Sequence, residues 1–277
     1  LPEGHVIHRL ARELTDFSGR PLSVSSPQGR FAVEAAALDG SPLVRAEAIG
    51  KHLLLAFDVP EPGHVHIHLG LIGKLRIGPL AEPRGIVRLR IADGERAADL
   101  HGPQWCRLIG EAERDHVLAS SGPDPLRPDA DPDAGFARVR RSGRPIAQLL
   151  MDQRVAAGVG NIFRAEALFR AGLDPLVPGR DISRATWEVL WADLVGLMTP
   201  AVDAGRIDTV LAEHSPESQQ RPPRDDPHGG EVYVYRRAGD PCLVCATPVR
   251  ARVLDGRNLY WCPRCQRRRT ARPLAGG

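Results

Sequence analysis

Four of the five cysteines stand as Cys242-x-x-Cys245 and Cys262-x-x-Cys265, with sixteen residues between the pairs. Each Cys-x-x-Cys turn can deliver two sulfurs to one ion, and the intervening residues return the chain to supply the other two. That is the ligand set of a structural Zn2+ site. The competing reading, a redox pair or two disulfides, needs an oxidising compartment. The fifth cysteine, Cys106, precedes Arg107-Leu108-Ile109 and reads as a buried thiol. Of the 37 basic residues only Lys51 and Lys74 are lysine. Lys51 is therefore either a solvated side chain or an amine kept for a specific purpose. His64, His66 and His68 alternate with Val65, Ile67 and Leu69, so the three imidazoles share one strand face, as a metal site or as a plain polar face. Gly158-Val159-Gly160 stands ahead of Asn161, which reads as an N-cap. Glycines there leave backbone N–H groups open to an anion at the helix dipole's positive end, and the Asn161 amide can also donate to a phosphate. The competing reading is a helical hairpin with a glycine-rich turn.

The elements that must hold these groups follow from periodicity. Ile7, Leu10 and Leu14 mark a short N-terminal helix. His52–Asp58, His64–Leu69, Leu75–Ile77 and Ile86–Ile91 are short apolar or alternating runs between Gly and Pro, the pattern of a sandwich or barrel. Ile146, Leu149 and Leu150 predict a helix through Arg144–Arg154; Ile162, Ala165, Leu168 and Phe169 predict a second from Asn161, and Trp187–Leu197 a third. Between the cysteine pairs, Asp255-Gly256 separates two strand-like runs, which predicts a zinc-pinned hairpin with Arg257 near its tip.

The chain has 277 residues and a formal net charge of +3, which excludes a histone-like tail or an acidic disordered chain. From Tyr233 onward ten arginines face only Asp240 and Asp255. A basic terminal module on a mildly acidic body points to a polyanion, most simply nucleic acid. No apolar run approaches the ~18–20 residues of a membrane span. The N-terminus also lacks the basic-then-apolar pattern of an export signal, so the expected location is the cytoplasm.

Taken in order, the motifs resemble the formamidopyrimidine-DNA glycosylase/endonuclease VIII family. They are Pro2-Glu3-Gly4 at the start, Gly50–Leu55 (GKHLLL), His68–Gly73 (HLGLIG) and Gly122–Leu126 (GPDPL). Leu149–Phe169 and Val234–Gln266 complete the series. The opening and Tyr260-Trp261-Cys262-Pro263 lean to the endonuclease VIII branch, in detail to a second actinobacterial paralogue. The resemblance implies a multidomain α+β fold: an N-terminal β-sandwich with flanking helices (1–119), a linker (120–134), a helix–two-turn–helix domain with a variable loop (135–232) and a β-hairpin zinc finger (233–277). It implies a monomeric bifunctional DNA glycosylase/AP lyase of base-excision repair, working at the bacterial nucleoid on oxidised bases, pyrimidines foremost, in double-stranded DNA. The target base is flipped out and the duplex kinked. The alternatives are a formamidopyrimidine/8-oxoguanine specialist and a catalytically silent binder of damaged or abasic DNA.

The same resemblance assigns roles. Pro2 is the nucleophile and Glu3 the general acid/base beside it. Lys51 and Arg257 contact phosphate and assist elimination. Gly160 and Asn161 hold a phosphate beside the lesion, and one zinc ion sits on Cys242, Cys245, Cys262 and Cys265. Leu71 takes the position of the family's void-filling Met. Three departures stand out. Val6 replaces a second Glu. Gly102–Cys106 replaces an Arg-and-Phe pair, leaving Trp105 as a further candidate plug. The third is Leu1, which would turn the Pro2 nitrogen into an amide. The expectation is that Leu1 translates an alternative start codon, read as Met in the cell and then removed. The loop Glu213–Gly230 lies where the family varies in base recognition.

Overall fold

The computed structural model describes residues 2–226, 230–267 and 270. Leu1, and Arg268, Arg269 and Arg272 of the basic tail, lie outside the described residues. The chain divides into two compact units, Leu1–Ser121 and Gly122–Gly277.

In chain order the first unit runs α1 (Gly4–Thr15), β1 (Ser23–Ser25), α2 (Ala32–Leu38), β2 (Leu43–Ile49), β3 (His52–Phe57), β4 (His64–His68), β5 (Lys74–Pro79), β6 (Val87–Ala92), β7 (Arg96–His101), β8 (Trp105–Ile109) and α3 (Glu111–Ser120). The strands form two antiparallel four-stranded sheets, ordered β2-β3-β4-β8 and β1-β6-β7-β5. Alternation decides the core. Leu53, Leu55, Val65 and Ile67 from the first sheet share one apolar cluster with Leu89, Ile91, Ala98 and Leu100 from the second. Ile7, Leu10 and Leu14, spaced for one helical face, add α1 to that cluster. This is the expected sandwich. On the opposite face of the first sheet, Ile49, Leu54 and Ile109 pack with Val117 and Leu118 of α3.

The second unit contains α4 (Pro132–Arg140), α5 (Ile146–Leu149), α6 (Asn161–Arg170), α7 (Arg184–Ala204), β9 (Arg250–Leu254) and β10 (Arg257–Trp261). Helix α4 starts within the stretch that reads as linker, because the Asp131 side chain accepts from the Asp133 N–H and Pro132 takes the first turn. The helix predicted through Arg144–Arg154 ends at Leu149. Beyond it Asp152 Oδ1 accepts from the Arg154 N–H, and the Gln153 side chain accepts from Gly158 N and donates to Val159 O. Side chains thus satisfy a turn that periodicity alone reads as helix. Asn161 is the first residue of α6 rather than its cap; Gly160 holds the cap position with no side-chain bond. Helix α7 is longer than Trp187–Leu197, capped by Ser183 and stopped at Gly205, which adopts φ 67°.

Candidate functional site

In the first unit, Glu3 is 1% exposed and occupies the N-cap of α1 with extended backbone. The positive end of the helix dipole favours a carboxylate there. Pro2, half-buried, directly precedes it. Lys51 sits in the turn between β2 and β3, where Ile49 pairs with His52 and leaves a two-residue loop. Such a loop needs positive φ at its first position, and Gly50 supplies it at 57°. His52 also pairs with His68, the last residue of β4, and His68 with Trp105, the first of β8. The register therefore brings Lys51, the Gly70–Gly73 turn and the start of β8 to one end of the sheet. Leu71 and Ile72 in that turn are 63% and 81% exposed.

The imidazoles divide. His64 Nε2 lies 3.2 Å from Glu111 Oε2. His66 and His68 group with His52 and Trp105; Trp105 stacks on His68 with centroids 4.5 Å apart. Burial pushes His66 down to about 4 and His52 to about 3, with neighbouring imidazoles acting in the same direction. Among the described residues the cysteine group, and not the histidine face, brings three or more potential metal ligands within 4.8 Å of one another. Trp105, the further candidate plug, is half-buried and packs into this ring group. Burial raises the Cys106 thiol to about 12, consistent with an inert side chain.

In the second unit, Asn161 Nδ2 donates to the Asn258 carbonyl at 3.1 Å. Arg164, 1% exposed, bonds the same carbonyl at 2.9 Å and also the Asn161 side-chain oxygen. The finger hairpin is thereby tied to the start of α6 beside Arg257. Arg257 lines a cavity of about 370 Å³ with Arg144, Arg154, Arg164, Gln148 and Asp152, among others. Asp152 is held below the usual carboxylate range, first by a hydrogen bond from Arg154. The arginines outnumber the carboxylates, which makes the cavity suited to an anionic oxygen group.

The hairpin itself is as expected: Leu254 pairs with Arg257 across Asp255 and Gly256, both with positive φ. The four sulfurs of Cys242, Cys245, Cys262 and Cys265 lie within 4.8 Å of one another. Cys242 Sγ and Cys265 Sγ are 3.8 Å apart, and Cys245 Sγ and Cys262 Sγ 3.5 Å. These spacings are too long for disulfides. They match the edges of a tetrahedron about a zinc ion bonded to sulfur at ~2.3 Å. The four cysteines fit one structural zinc ion.

Three family models match: the formamidopyrimidine-DNA glycosylase N-terminal domain at residues 1–104, its H2TH domain at 121–212, and the zinc finger found in FPG and IleRS at 239–268. Endonuclease 8 1 of Mycobacterium tuberculosis is 48% identical over 273 residues, spanning 96% of this chain and 100% of that protein. The chain belongs to the formamidopyrimidine-DNA glycosylase/endonuclease VIII family. Its members are DNA glycosylases with AP lyase activity. Formamidopyrimidine-DNA glycosylase of Thermus thermophilus is 34% identical over 276 residues, covering 96% of this chain and 97% of its own. The crystal structure of the MutM (Fpg) protein from Thermus thermophilus aligns with TM-score 0.73 at 29% identity, over 96% of this chain and 98% of that one. The Lactococcus lactis enzyme bound to DNA containing an AP site shares the fold at TM-score 0.75 and 21% identity.

Within the glycosylase family frame, the branch expected from the sequence agrees with the Mycobacterium relative, although that relative is designated Endonuclease 8 1 where the detail of the resemblance points to a second paralogue. Pro2, Glu3, Lys51 and Leu71 lie in the first unit; Gly160, Asn161, Arg257 and the cysteines lie in the second. Sequence reasoning missed Arg164 and His52. Arg164 is hidden among the apolar residues of α6, and its only signal was a charge on a buried face. His52 was legible only as the residue after Lys51, because its partners arrive through strand register. No helix of the described residues is long and apolar enough to cross a membrane.

Proposed function

We propose that the chain is a bifunctional glycosylase/AP lyase of base-excision repair that removes oxidised bases, pyrimidines foremost, from double-stranded DNA. The observation that carries this reading is the head of α1, where Pro2, whose nitrogen is a free amine only when Leu1 is absent, directly precedes the buried carboxylate of Glu3. An α-amine titrates near ~8, so a useful fraction is unprotonated at neutral pH. The Pro2 nitrogen bonds to sugar C1′ as the base departs with a proton; the C1′–O4′ bond then breaks, the ring oxygen takes a proton, and an iminium is left between Pro2 and C1′. Glu3 handles the proton at the sugar ring oxygen and the transfers that follow. The iminium acidifies the 2′-proton; its loss expels the 3′-phosphate by β-elimination, and a second elimination expels the 5′-phosphate.

Lys51 contacts phosphate and donates a proton in the first elimination, while Arg257 assists the second. Gly160 and Asn161 hold a phosphate beside the lesion through the start of α6. In the free protein the Asn161 amide is occupied by the Asn258 carbonyl, so it would exchange that partner for a phosphate oxygen. Leu71, exposed at its turn, is suited to fill the space left by the flipped base. The zinc ion holds the hairpin that presents Arg257, and the partner is damaged DNA.

Excision from thymine glycol and 8-oxoguanine duplexes tests the substrate class. Preference for thymine glycol supports the pyrimidine reading. Preference for 8-oxoguanine favours the second reading, which the 34% identical Thermus formamidopyrimidine-DNA glycosylase supports. Binding to abasic DNA without cleavage by protein with a free Pro2 would leave a silent binder.

A further inference from the structure

The ring group beside Lys51 is not used by the chemistry above, yet two of its hydrogen bonds come from donors that cannot accept. Trp105 Nε1–H points at His66 Nε2 at 3.4 Å. An indole can only donate, so His66 Nε2 must be bare and its proton must sit on Nδ1. His52 Nδ1 lies 2.9 Å from that same nitrogen, and can therefore only be a donor. His68 Nδ1 accepts from the Gly70 backbone N–H at 3.1 Å, which places its proton on Nε2. The tautomers of His66 and His68 are thus each set by a donor that cannot reverse, and that of His52 follows from His66.

These rings lie at the end of the sheet where two turns leave it. His52 closes the loop that carries Lys51, and His68 pairs with His52 across the strands. His68 also leads into Gly70 and the exposed Leu71. The rings of His52 and His68 have centroids 5.3 Å apart, and Trp105 covers His68. A proton on His66 Nε2 would face the indole N–H, which cannot turn to accept, and would force the His52 ring to exchange its tautomer.

We propose that His66 is a positioning residue for Lys51: its bare Nε2 is the acceptor on which His52 and Trp105 converge, fixing the His52 side of the Lys51 turn. This inference rests on the role given to Lys51 above. The low titration of His66, at about 4, keeps the acceptor available throughout the neutral range.

The zinc-loaded full chain with Pro2 free is compared with His66→Gln and His66→Leu on an abasic-site duplex. Gln offers an acceptor oxygen in place of Nε2; Leu keeps bulk and removes the acceptor. All three proteins are expected to form the borohydride-trapped adduct to equal extent. His66→Gln is expected to cleave the strand near the wild-type rate. His66→Leu is expected to cleave at least about tenfold more slowly, within the ~10²-fold that small misplacements cost. Long-range 15N–1H NMR of the wild type should show His66 protonated at Nδ1. Equal cleavage by the Gln and Leu variants, or His66 protonated at Nε2, would overturn the proposal. Absence of any adduct in the wild type would instead overturn the lyase reading, and the role of Lys51 with it, while the tautomer spectrum still reads the acceptor independently.

Discussion

At the scale of single residues, the proposed chemistry asks for an amine that is unprotonated at neutral pH and a carboxylate that stays beside it. Glu3 is fixed by burial at the head of α1, so Glu3→Gln should retain binding to abasic DNA while losing base excision by at least ~10²-fold, the usual scale for a removed acid/base. Gel-shift and excision assays on one duplex check both halves. Arg257 is exposed on β10 and lines the arginine-rich cavity. Arg257→Ala should lower the slope of log affinity against log salt by about one, because each phosphate neutralised releases about one counterion; titrations across a salt series measure it. The zinc ligands were fully legible in the sequence, since spacing alone sets which sulfurs can share an ion. The roles proposed for Lys51 and Arg257 come from the motifs that contain them. The rings around Lys51 were not legible, because His52, His66, His68 and Trp105 meet only through the register of three strands.

At the scale of elements, the finger and the helical segment depend on long-range ties that no local pattern reveals. Glu166 of α6 is fully buried, and its carboxylate accepts from Thr209 Oγ1 at 2.6 Å and from the backbone N–H groups of Tyr233, Val234 and Tyr235 at 2.7–2.9 Å. The three backbone donors belong to the strap that enters the finger, while Thr209 follows α7. All four point inward, so Glu166→Gln would set an amide N–H2 against donors. The substitution should lower stability by about 1–3 kcal/mol or more, as read by urea unfolding. Sequence periodicity placed α6 and α7 well, because their apolar stripes are long. It failed after Leu149, where the side chains of Asp152 and Gln153 replace helical bonds with a turn. Zinc removal acts at this scale too. Chelation should unfold the hairpin of β9 and β10, with loss of protease resistance in the finger and a fall in DNA affinity.

At the scale of the whole molecule, two buried histidines, His5 and His66, and the half-buried His52 link stability to pH. Burial lowers His5 and His66 to about 4 and His52 to about 3, from ordinary values near 6.5. The unfolded chain therefore binds protons between these limits that the folded chain does not. Stability should rise with pH through that window, be fully present above about 6.5, and fall as the pH drops from there toward 4. Each such histidine contributes a slope of up to about 1.4 kcal/mol per pH unit. Thermal unfolding from pH 7 to 4 should show a steeper decline than in a His52→Leu/His66→Leu double variant. The two-sheet sandwich, the helical segment and the finger were all legible in the sequence. The depressed histidines were not, because burial is a property of the assembled sheets.

The central claim is that the nitrogen of Pro2 is the nucleophile. Borohydride trapping on an abasic duplex, followed by peptide mass mapping, tests it on two forms of the chain: one beginning at Pro2 and one retaining a residue before it. The account predicts a covalent adduct on Pro2 in the first form and none in the second. An adduct that persists when Pro2 is blocked, or that maps to Lys51, would contradict it.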